Sequence, residues 1–90
     1  MNITQDTINH IGQTWNALGK AADAAPDRET LRAIKNIAKK FEAVCQNIDT
    51  EVRIAEDPLS NRLTRIVRAG YNQYNDYYQE RKATFDIVGL

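Results

Sequence analysis

Leu31, Ile34, Ala38, Phe41, Cys45, Ile48, Val52 and Ala55 follow one another at alternating steps of three and four residues. That spacing puts all of them on one stripe of a helix. No strand-type alternation competes with it. The middle third of the chain is therefore predicted to be a long amphipathic helix. Ile37 and Val44 widen the stripe to one side. Such breadth fits a bundle helix touching two neighbours better than a narrow two-helix seam.

Two further helices flank it. Ile8, Ile11, Trp15, Leu18 and Ala22 form an apolar stripe that predicts a first helix from about residue 3 to about residue 20 or 22, with residues 21–25 a short helical extension or a linker. Asn2 is its expected N-cap, with Gln5 reaching back in a variant of the capping box. Gly12 and Gly19 weaken it, and Gly19 is a candidate stop. Pro26 suits the first turn of the next helix, and Asp27 and Glu29 favour its positive end. That second helix is expected over about residues 27–56. Asp57 and Pro58 repeat the signal, as N-cap and first residue of a third helix over about residues 58–82. Leu59, Leu63, Ile66, Val67, Tyr71, Tyr74, Tyr77, Tyr78 and Phe85 share one arc of that helix, roughly 140° wide. The apolar tail, ATFDIVGL, either extends it or folds back.

The pattern predicts an all-α fold in one domain, residues 1–90: a three-helix antiparallel bundle, or a hairpin of two long helices, that self-associates. The first helix is the shortest. The far ends of the other two are thus expected to lack a third partner, which favours a homodimer. A chain this small buries only a modest core, and association is a common remedy.

Charge changes the picture little. Twelve basic and twelve acidic side chains leave the net charge at zero, so no bulk attraction to nucleic acid or an anionic membrane follows. A lone cysteine in a core position suits a reducing compartment. The first residues, MNITQDTINH, have neither the basic nor the apolar region of a cleaved signal. No run approaches the ~20 apolar residues of a membrane span. The expected location is cytoplasmic, in a bacterium or a phage-infected cell.

Two surfaces stand out as candidates for recognition. Tyr71, Tyr74, Tyr77 and Tyr78 crowd the last helix, with Arg81 in the middle of the same arc. Tyrosine suits the edge of a core or an interface, and Tyr and Arg are frequent binding hot spots. These five are the expected partner-binding residues. The competing reading has the rings roofing the core while Arg81 reaches outward. Arg28, Arg32, Lys35 and Lys39 form a secondary basic face along three turns of the middle helix. It could meet an acidic protein or a phosphate backbone, but Glu42 and Asp49 continue the same side, as on any solvated face. Arg62, Arg65 and Arg68 lie opposite the aromatic arc, which argues against a mixed basic and aromatic single-strand binder.

Catalytic chemistry finds no footing. His10 falls on a polar side and Cys45 on a core side, so base and nucleophile would not meet. Ser60 stands where a helix start ordinarily has serine. There is no glycine-rich phosphate loop and no metal-ligand spacing. The expectation is a non-enzymatic protein-binding module, without cofactor or metal. Its most concrete form is a small phage- or bacterium-encoded inhibitor or adaptor occupying a surface of a larger host complex. The alternatives are a nucleic-acid-associated regulator using the Arg28 to Lys39 face, and a helical subunit of a secretion or virion assembly.

Overall fold

The computed structural model describes residues 2–89. Its elements are α1 (Gln5–Asp23), α2 (Arg28–Ile54) and α3 (Ser60–Val88), with no strand among the described residues. The three pack as an all-α bundle, a rod of 49 × 16 × 15 Å. Short connections turn each helix back on the one before, so α1 and α3 run parallel and α2 runs against both. Two long-range bonds mark the ends. Ile3 N donates to Asp57 Oδ2 at 3.1 Å where α3 begins. Arg81 Nε donates to Ala25 O at 2.8 Å where α1 has ended.

The core follows the predicted stripes. Ile8, Ile11, Trp15 and Ala22 of α1 meet Leu31, Ile34, Ala38, Cys45 and Val52 of α2 and Leu63, Tyr74, Tyr78 and Phe85 of α3. Trp15 is completely buried at the centre. Its ring lies 5.0 Å from Phe41, 5.7 Å from Tyr71 and 6.0 Å from Tyr74 between centroids. Such tilted and edge-on contacts suit the ring quadrupoles.

Of the three helix pairs, α1 and α3 approach each other most closely. The cause is glycine on both surfaces. A Cβ at Gly70 would stand 2.5 Å from Trp15 Cβ, and one at Gly19 would stand 2.8 Å from Tyr77 Cδ2. Gly19 is therefore a mid-helix contact and not the expected stop, and α1 continues to Asp23.

The helix ends differ from expectation in several places. Thr4, not Asn2, caps α1: its Oγ1 accepts from Thr7 N at 3.2 Å. Gln5 is the first helical residue and bonds Asn9 and Arg62 instead of reaching back. Pro26 lies outside α2, whose N-cap is Asp27, with Oδ1 accepting from Thr30 N at 2.7 Å. Pro58 and Leu59 form a turn, so α3 starts at Ser60. The reason is that the Asp57 carboxylate is divided: Oδ1 accepts from Leu59 N at 2.8 Å while Oδ2 holds Ile3. At the end of α2, Glu56 takes the left-handed conformation at φ 54°. Glu56 N then donates to Arg53 O at 3.0 Å and Asp57 N to Val52 O at 2.9 Å. Those two bonds are the Schellman pattern, here closed without glycine.

The tail extends α3 well past residue 82. Phe85 buries itself, and Asp86 pairs with Arg28 at 2.7 Å. Gly89 ends the helix at φ 76°. The far ends stay partly uncovered: Ile54 at the end of α2 and Ile87 and Val88 at the end of α3 are 78%, 84% and 58% exposed. Residues flanking α1 lengthen its reach, and Ile3 and Ala25 are both buried. A lateral strip of α2 is uncovered as well. Ile37 and Val44, expected against a second neighbour, are 55% and 50% exposed. None of the helices is long and apolar enough to cross a membrane.

Candidate functional site

The five partner-binding candidates of α3 are not alike. Tyr74 and Tyr78 face the core and keep 4% and 9% of their surface. Tyr77 is half-buried, lying over the backbone gap at Gly19. Tyr71 alone of the four is exposed, at 37%, with its ring edge-on to Trp15. Arg81 has intramolecular tasks: it bonds the Ala25 carbonyl and lies 4.7 Å over the Phe85 ring. It thus serves the electronegative end of α1 and stacks on an aromatic face.

Tyr74 carries a second peculiarity. Its hydroxyl is buried without a hydrogen-bond partner, as is the Trp15 indole N–H. Burial, with Tyr78 and Tyr71 adding to it, pushes the Tyr74 phenol up to about 12. Cys45 lies beneath the same cluster as a buried free thiol. Burial pushes that thiol above its ordinary range. Trp15 opposes the rise and Glu42 adds to it, while the sulfur stays outside hydrogen-bonding geometry with the indole. A thiol so held is a poor nucleophile. His10 is exposed on the polar side of α1. Among the described residues no group of three or more His, Cys, Asp or Glu could hold a metal ion.

The basic face is partly engaged. Arg28 pairs with Asp86, and Lys35 Nζ lies 5.1 Å over the Tyr78 ring. Arg32 and Lys39 are exposed. Packing brings Arg68 of α3 to the same groove as Lys35 and Lys39, but not Arg62. Arg62 bonds Gln5 at the opposite end of the rod. Glu42 lines the groove beside both Lys39 and Arg68, and Asp49 lies further along, bonded to Thr64.

A concavity runs between α2 and α3. Its larger, more open part, about 350 Å³, has Val67 and Tyr71 for its apolar surface over the buried Cys45, with Glu42, Gln46, Asp49, Thr64, Arg68 and Asn72 around it. A smaller, more enclosed part of about 280 Å³ continues past Glu42 and Tyr71 to Lys35, Lys39, Asn75, Tyr78 and Gln79. Its closed end is braced by hydrogen bonds. Thr64 Oγ1 donates to Asp49 Oδ1 at 2.7 Å and accepts from Arg53 Nη2 at 2.7 Å. Arg53 Nε also donates to Asp49 Oδ2 at 3.0 Å. Threonine thereby joins α2 to α3 and fixes the spacing of the walls.

Sequence reasoning singled out Tyr71, Tyr78, Lys35 and Lys39, which line this cleft, but set Arg68 opposite the aromatic arc, whereas it lines the cleft together with Val67 and Tyr71 on the α3 wall. The row Glu42, Gln46, Asp49 on the flank of the core stripe was the available signal. The shape of the cleft was not readable, because it depends on the spacing of α2 and α3, which follows from packing across the whole bundle. Comparison with protein-family models, curated proteins and solved structures finds no match.

Proposed function

We propose that this chain is a non-enzymatic protein-binding module whose recognition surface is the α2–α3 cleft around Tyr71. The observation that carries the reading is the cleft itself. It combines an apolar floor, an aromatic ring at its edge and a rim bearing both signs of charge, the anatomy of a small protein interface. It suits an apolar anchor side chain from a partner helix or extended segment, flanked by polar contacts to Glu42 and Arg68. The most concrete form is a small bacterial or phage-encoded inhibitor or adaptor that occupies a surface of a larger complex. The alternative, a nucleic-acid-associated regulator, draws less support, because Arg28 and Lys35 have intramolecular contacts and acidic residues interrupt the basic track.

Capture from a lysate of the encoding cells tests this, with wild type compared against Tyr71→Ala and Arg68→Glu. Losing a central contact costs about 2 kcal/mol, roughly 30-fold in affinity. A protein retained by wild type and Arg32→Glu but lost by both cleft variants is the expected result. Equal retention by all, or loss with Arg32→Glu alone, would contradict the reading.

A further inference from the structure

We propose that two copies of this chain pair antiparallel through the outer face of α2, about a two-fold axis passing between Val44 and Asn47. Ile37, Lys40, Val44, Asn47, Glu51 and Ile54 recur at alternating steps of three and four and form a second stripe on α2, separate from the core stripe. All six are exposed, the three apolar ones at 55%, 50% and 78%. No element among the described residues buries them, and none of the six lines the α2–α3 cleft. The inference is therefore independent of the cleft's role.

The order of residue types decides the occupant. From its N-terminal end the stripe runs apolar, basic, apolar, polar, acidic, apolar. Laid against itself in reverse, Ile37 meets Ile54 of the second copy, Lys40 meets its Glu51, and Val44 meets its Asn47. The two-fold axis then repeats each pairing, as an isologous interface requires. Neither Lys40 nor Glu51 has an opposite charge at three or four residues along its own helix, so each lacks the usual intrahelical partner. A parallel pair would set Lys40 against Lys40 and Glu51 against Glu51. An antiparallel register centred between Lys40 and Phe41 would match Ile37 with Val44 but leave both charges unmatched. Charge complementarity thus selects one orientation, one register and a second copy as the partner. Residues 37–54 span roughly 26 Å at ~1.5 Å each. One helix of contact is a small interface, under about 1,200 Å² in total, of the size of weak, reversible associations.

Sedimentation equilibrium on the full chain, from about 1 to 300 µM, measures it. The expected result is a monomer of 10.2 kDa in reversible exchange with a dimer. Lys40→Glu alone and Glu51→Lys alone should each weaken dimerisation about tenfold or more, by placing like charges opposite one another. Mixing the two variants should restore it, since every facing pair is then opposite in sign. Val44→Asp should abolish pairing by a separate route. All of these positions are exposed, so circular dichroism should stay at the wild-type value. A wild type monomeric throughout the range would overturn the proposal. So would a dimer indifferent to the single substitutions, or a mixture that stays monomeric.

Discussion

Tyr74 shows what a residue's surroundings can do to an apparently good binding group. In the sequence it belongs to a tyrosine arc of the kind found at interfaces, but its ring is buried and its hydroxyl has no partner. An unmatched buried hydroxyl costs about 1–3 kcal/mol. Tyr74→Phe should therefore stabilise the fold by roughly 1 kcal/mol, raising the melting temperature by about 4–8 °C for a domain of this size. Tyr71→Phe should change it little. A lower melting temperature for Tyr74→Phe would mean that its hydroxyl is satisfied after all. Gly70 reverses an ordinary expectation too. Alanine is worth about 1 kcal/mol over glycine in an open helix, but here its Cβ would stand 2.5 Å from Trp15. Overpacking of that kind costs about 1–3 kcal/mol. Gly70→Ala should lower the denaturation midpoint, whereas a rise would show that α1 and α3 can separate freely.

At the scale of elements, the three amphipathic stripes were legible because each helix buries one face. The breaks near Pro26 and Pro58 were legible because proline cannot continue a helix from the preceding one. The ends were less so. Caps were misplaced where one side chain serves two partners, as Asp57 does, and where the tail earns its helix from distant contacts such as Arg28 with Asp86. The exposed pair Ile37 and Val44 was recognised as a widening of the α2 stripe, but only the packing shows that no neighbour covers it. Asp57 offers a test of the junction. Hydrogen bonds from the Leu59 and Ile3 amides hold its carboxyl below the usual value of 3.8. A depressed carboxylate stabilises the fold at pH values above its unfolded pKa, and that contribution is lost as pH falls through the folded one. Asp57→Asn should thus be less stable than wild type at pH 7, with the gap closing below about pH 4. Denaturant midpoints across that range check it, and a gap that persists at the acid end would rule the carboxylate out as its cause.

Over the whole molecule, glycine-mediated packing of α1 on α3 and looser packing of α2 leave two surfaces with different chemistry. One is the cleft beside Tyr71, proposed for a protein partner. The other is the outer stripe of α2, proposed for a second copy. The candidate site was only half legible for this reason: side-chain types can be read along a helix, but the distance between helices follows from contacts elsewhere. Site-directed photo-crosslinking in the encoding cells tests the central claim most directly. A photoreactive phenylalanine analogue would be placed at Gln46 or Asn72 on the cleft rim, at Asn47 on the outer stripe, or at Arg32 on the basic face. The account predicts a distinct protein adduct from Gln46 and Asn72 that is absent from Arg32, and a covalent dimer of the chain from Asn47. Adducts at Arg32 with none at Gln46 or Asn72 would contradict it and return recognition to the basic face.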